Sequence, residues 1–126
     1  MTKPLTLTTL APQTHLLVPQ MFDRACEHLQ TAHTHHTEAV NALAEARCSL
    51  EFKRAELLAQ GIEGKNVEAR EAVLRLELFD EYAEVLGLEV ALNDARSELE
   101  QARLTWDCLR YKLRLLEVQR VLEGAA

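Results

Sequence analysis

Proline is absent beyond residue 19, and the whole 126-residue chain has only four glycines. Proline breaks helices by removing a donor, and glycine weakens them by its freedom. Their scarcity leaves long helices unopposed from Pro19 onward, except near Gly61 and Gly64. Aromatic residues are also few, with one Trp, two Tyr and three Phe. The hydrophobic content is instead Ala, Leu and Val, which suits helices. The three cysteines, Cys26, Cys48 and Cys108, are odd in number, widely spaced and without a CxxC. That pattern speaks against a disulfide framework and fits reduced thiols in a cytoplasmic setting. No apolar run approaches the ~20 residues that span a bilayer, and the N-terminus lacks a signal-peptide pattern. A soluble protein without membrane contact is expected. There is no GxSxG, Walker loop, HExxH or glycine-rich dinucleotide turn, so neither an enzyme nor a cofactor site is expected.

What is present is heptad rhythm. Residues 19–60 carry Phe22, Ala25, Leu29, Ala32, His36, Ala39, Leu43, Ala46, Leu50, Lys53 and Leu57 in alternating steps of three and four. One heptad position is large and the other small, which lets two helices approach closely and interlock. Residues 80–123 repeat the rhythm with Val85, Leu88, Leu92, Ala95, Leu99, Ala102, Trp106, Leu109, Leu113 and Leu116. Between them lies Gly61-Ile62-Glu63-Gly64-Lys65-Asn66, in which Asn66 is a good N-cap for a short helix over 67–79. The apolar face of that helix is read as Val67, Leu74 and Leu78, widened by Ala72, Val73 and Leu76.

The fold class is therefore all-α. Two helices of on the order of 60 Å fold back as an antiparallel coiled-coil hairpin, with a short third helix at the tip. Matching the two seams places Leu50 opposite Leu92, Leu43 opposite Leu99 and His36 opposite Trp106. A slip of one heptad is the alternative register. Residues 1–18 form an extended, leucine-bearing N-terminal arm ahead of the helical hairpin at 19–126. It lies against its own hairpin or docks on a neighbour. A two-helix seam encloses little core, so a homo-oligomer or a further protein partner is expected.

The net charge of −6 is unevenly spread. Residues 45–100 hold fourteen acids against seven bases, and residues 101–126 hold three against five. An acidic middle excludes general duplex binding, which needs clustered Lys and Arg. It fits a solvated, salt-bridged helix surface or, alternatively, an acidic inhibitor that mimics nucleic acid before a host defence nuclease. Arg103, Arg110 and Arg114 interleave with Trp106 near the C-terminus, the composition of a single-strand nucleic-acid platform. Asp107 and Glu117 lie within one turn of them and offer internal ion pairs instead.

Two further groups stand out. His33 and His36, with His28 and His35 nearby, have the i,i+3 spacing of a helical metal chelate. Residue 40, the next matching position, is Val, so metal binding would need ligands from a second subunit. His36 otherwise fills a seam slot, where burial resists its charging. The surrounding Thr and His favour helix poorly, which makes this the expected place for a bend. Lys65, Asn66 and Arg70 meet at the tip, as a structural lock or a partner-binding site. There the run Gly64-Lys65-Asn66-Val67-Glu68-Ala69-Arg70 resembles small phage and prophage coiled-coil proteins with a GKN-x-x-x-R tip. The resemblance spans about residues 55–120 and implies a mobile-element accessory factor beside DNA-processing enzymes.

Overall fold

A computed structural model describes residues 17–125, and the N-terminal arm up to residue 16 lies outside the described residues. Among the described residues the chain is three α-helices with no strand. Helix α1 spans Pro19–Gln60, α2 Val67–Glu77 and α3 Phe79–Gly124. None of them is long and apolar enough to cross a membrane.

Each boundary has a local cause. Pro19 opens α1, where its missing N–H would have had no helical partner. Gly61, at φ +89°, ends α1 in a backbone region that disfavours other residues. Asn66 begins α2 in extended geometry, its Oδ1 accepting a 2.8 Å hydrogen bond from the Ala69 N–H. A Cβ at Gly64 would lie 2.8 Å from Cγ of Arg70 and 2.9 Å from its backbone nitrogen, so the connector folds tightly over the first turn of α2. A single residue, Leu78, separates α2 from α3. Its N–H donates to Leu74 and its carbonyl accepts from Tyr82, both at 2.9 Å.

The helices distribute over two compact units, divided at Ala32/His33 in α1 and Ser97/Glu98 in α3. The division in α1 falls at the His- and Thr-rich run. Helical structure continues through that run, and the Thr37 hydroxyl donates back to the His33 carbonyl at 3.1 Å.

The second unit, residues 33–97, draws on all three helices. Leu43 and Leu50 of α1, Leu74 of α2, and Val85 and Leu92 of α3 are buried in one cluster, joined by Leu78 from the break. Leu74 is the most enclosed large side chain, only 1% exposed. The face expected of α2 is corrected at three positions: Ala72 is exposed, and Val67 and Leu76 are 71% and 78% exposed. Ala72 and Leu76 lie on the side of α2 away from Leu74, and Val67 is the first residue of the eleven-residue helix, two turns before Leu74.

In the first unit, Ala32, Leu99 and Ala102 are buried together with Leu29 against them. Ala32 and Ala102 have no exposure at all, the signature of two helices in close approach at small residues. Trp106 meets Phe22 edge to face, with centroids 6.2 Å apart and planes at 87°. Phe22, rather than His36, is thus the ring partner of Trp106.

Every residue of the α1 seam is buried or half-buried, and so is that of α3 except Leu113. The register differs from Leu50 opposite Leu92. Arg47 pairs with Glu89 and Lys53 with Glu81, each at 3.0 Å, which sets the second unit about one heptad away.

Two glycine substitutions are expected to move stability oppositely. Gly87 lies within α3, and a Cβ there would meet nothing within 4 Å. Gly87→Ala should raise stability by about 1 kcal/mol. Gly64→Ala should lower it, because the added carbon collides with Arg70. Thermal melts followed by circular dichroism measure both.

Candidate functional site

A connected polar group lies in the second unit and takes one residue or more from each helix. Arg54 of α1 meets the carboxylate of Glu71 of α2 with both terminal nitrogens, at 3.0 and 2.5 Å. Its Nη1 also donates to the Tyr82 hydroxyl of α3. Arg75 of α2 stands over the Tyr82 ring, with its guanidinium carbon 5.6 Å from the centroid. The planar fork of Arg54 matches a carboxylate with two parallel bonds, fixing orientation as well as distance. Hydrogen bonding to Arg54 holds the Glu71 carboxyl below its ordinary value of 4.5, and Glu71 with Tyr82 raises the Arg54 guanidinium. Lys53, in the adjacent seam slot, likewise lowers Glu81 through its hydrogen bond.

Beside this knot is an apolar groove of about 860 Å³. Its floor includes Leu50 and Val85, and its walls Leu76, Phe79, Ala83 and Leu86. Arg47, Arg75, Glu51 and Glu89 stand at its rim. Phe79, Leu86 and Val90, with Ala83 between them, repeat in steps of four, three and four along α3, on a face other than that of Val85 and Leu92. Phe79 is 67% exposed, Leu86 63% and Val90 60%. This second apolar stripe was not singled out in sequence. Its signal was there, since its steps match those of the buried seam, but the seam alone accounts for the folding of α3.

Asn66 caps α2 and its carbonyl accepts a 3.2 Å hydrogen bond from the Arg70 N–H, while Lys65 and Arg70 are exposed. Arg54, Glu71 and Tyr82 are what hold the three helices there. No sequence motif joins these, because each comes from a different helix and only the folded chain brings them together.

Among the described residues there is no group of three or more His, Cys, Asp or Glu side chains that could hold a metal ion. His33 is exposed and His36 half-buried. Cys26, Cys48 and Cys108 are free thiols, the last two exposed.

Of the C-terminal candidates, Arg103, Arg110 and Arg114 are exposed and Trp106 is half-buried against Phe22. Arg110 lies 3.7 Å from Asp107, a solvent-exposed contact of small energetic weight. Tyr111, 68% exposed between Arg110 and Arg114, is the open ring in this stretch.

The chain matches no protein-family model, no curated protein and no solved structure.

The lowered Glu71 and Glu81 predict an acid limit. A carboxylate with a depressed folded value stabilises the fold above its unfolded value and loses that contribution as pH falls through the folded one. Stability to urea should therefore decline as pH falls below about 5. Glu71→Gln removes one titrating group and should flatten that decline, while lowering stability near neutral pH.

Proposed function

We propose that the chain is a non-enzymatic coiled-coil interaction protein, an oligomeric antiparallel hairpin that scaffolds a partner. The observation that carries the reading is the exposed stripe of Phe79, Ala83, Leu86 and Val90 beside the groove. The second unit already buries one apolar face of α3, so the stripe is surplus to folding and is suited to a partner's amphipathic helix. Large apolar side chains exposed in a contiguous row mark interaction surfaces. The rim carries both signs of charge, which favours a helix with mixed flanks over a polyanion. The antiparallel course is supported within the second unit by its ion pairs, where the later residue of α1 meets the earlier residue of α3. The GKN-x-x-x-R tip supports a phage or mobile-element accessory factor acting beside DNA-processing enzymes.

A second reading, binding of single-stranded nucleic acid, is favoured by Tyr111 lying open between Arg110 and Arg114.

The groove is tested by Phe79→Asp with Leu86→Asp, on exposed positions that should leave helicity unchanged. Proximity cross-linking in the native host should join the wild-type groove to one protein and lose that link in the double variant. Equal recovery with both would remove the groove from the reading. Fluorescence anisotropy with labelled single-stranded DNA at low salt checks the second reading. Salt-sensitive binding that Tyr111→Ala and Arg114→Ala weaken would favour it over the scaffold.

A further inference from the structure

The last third of α3 has two apolar faces. One contains Ala102 and Leu109, which are buried in the first unit. The other is Leu104, Cys108, Tyr111, Leu115, Val118 and Leu122, an unbroken run of steps alternating between four and three. At about 100° per residue it lies on the side of the helix opposite the buried face. All six are exposed, with Leu104 at 67%, Tyr111 at 68%, Leu115 at 59%, Val118 at 54% and Leu122 at 66%. A helix needs one apolar stripe to pack in its own chain. A second, with strict heptad spacing and opposite the first, has the form of an intermolecular seam.

We propose that this stripe is the seam of a parallel, in-register homodimer. The flanking charges select both the occupant and its direction. In a parallel pair Asp107 lies beside Lys112 of the second copy, and the symmetry repeats the attraction on the other side. Arg114 lies beside Gln119 of the second copy, where nothing repels. An antiparallel pair that sets Tyr111 against Leu115 instead brings Lys112 against Lys112 and Arg114 against Arg114 across the dyad. The same heptad order places Cys108 opposite Cys108 in the parallel pair. In the antiparallel pair Cys108 faces Val118, and the two thiols are on the order of 15 Å apart along the axis.

The proposal rests on the reading of the chain as an oligomeric interaction protein but uses a face separate from the groove. A monomer would overturn it and leave the groove untouched.

The test uses the full chain with Cys26→Ser and Cys48→Ser, so that Cys108 is the one remaining thiol. Sedimentation equilibrium should show a concentration-dependent dimer, as it should for the wild type. Oxidised glutathione should convert it to a covalent dimer. The two Cys108 thiols give up two protons and two electrons to form the disulfide, and the reagent is reduced to two glutathione thiols. Facing Cα atoms of a parallel pair lie within the ~4.4–6.8 Å that a disulfide requires. Leu115→Asp should abolish the dimer with the helical signal unchanged. Lys112→Asp should weaken it about tenfold, and adding Asp107→Lys should restore it. Phe79→Asp with Leu86→Asp should leave it intact. A wild-type chain that remains monomeric, or a dimer that forms no Cys108 disulfide, overturns the proposal.

Discussion

A long helix in a small chain can hide only the residues that another helix covers. That constraint organises each of the two units. Among the described residues, each apolar side chain is either under a neighbouring helix or in contact with water. Ala32 and Ala102 are wholly covered because two small residues let the backbones close in. Leu104 and Leu86 remain in water because they lie outside the seam. The exposed leucines follow from the same geometry that makes the core, and their regular spacing is what separates them from scattered surface residues.

The second unit adds polar fastening to this apolar frame. Leu74, Leu78 and Leu50 bring the short helix onto the two long ones, but apolar contact is non-directional and leaves sliding cheap. Arg54 removes that freedom. Its two bonds to Glu71 and its bond to Tyr82 are satisfied together only when α1, α2 and α3 share one register. Lys53 extends the effect from the neighbouring position. A lysine in a seam slot would be costly in a closed core. Here its chain covers apolar surface while its ammonium reaches Glu81 at the edge.

Much of this is legible in the sequence. The three–four spacing identifies which residues of α1 and α3 lose solvent, and Asn66 announces the start of α2, because both are local properties of a helix. Register was not legible. Heptads repeat, so Leu50 fits Val85 of α3 about as well as Leu92, and only the flanking pairs Arg47–Glu89 and Lys53–Glu81 break the tie. The Arg54 network was hidden for a related reason. Glu71 and Tyr82 are unremarkable in their own helices and acquire a role only from an arginine remote in sequence. His36 beside Trp106 failed with the register, since Phe22 takes that place.

The break at Leu78 is a single residue, buried, with both its backbone groups bonded to the helices on either side. The chain therefore has unequal tolerance to changes of length. The connector is tight at Gly64 but open at Gly61, where an added atom meets nothing within 4 Å, so residues gained or lost next to Gly61 are tolerated. Position 78 has no such room. One residue inserted there would turn everything that follows by about 100° relative to α2, carrying Val85 and Leu92 out of the cluster and Glu84 and Ala91 into their places. Descent by insertion and deletion is thus open just past the end of α1 and closed at the junction of α2 and α3.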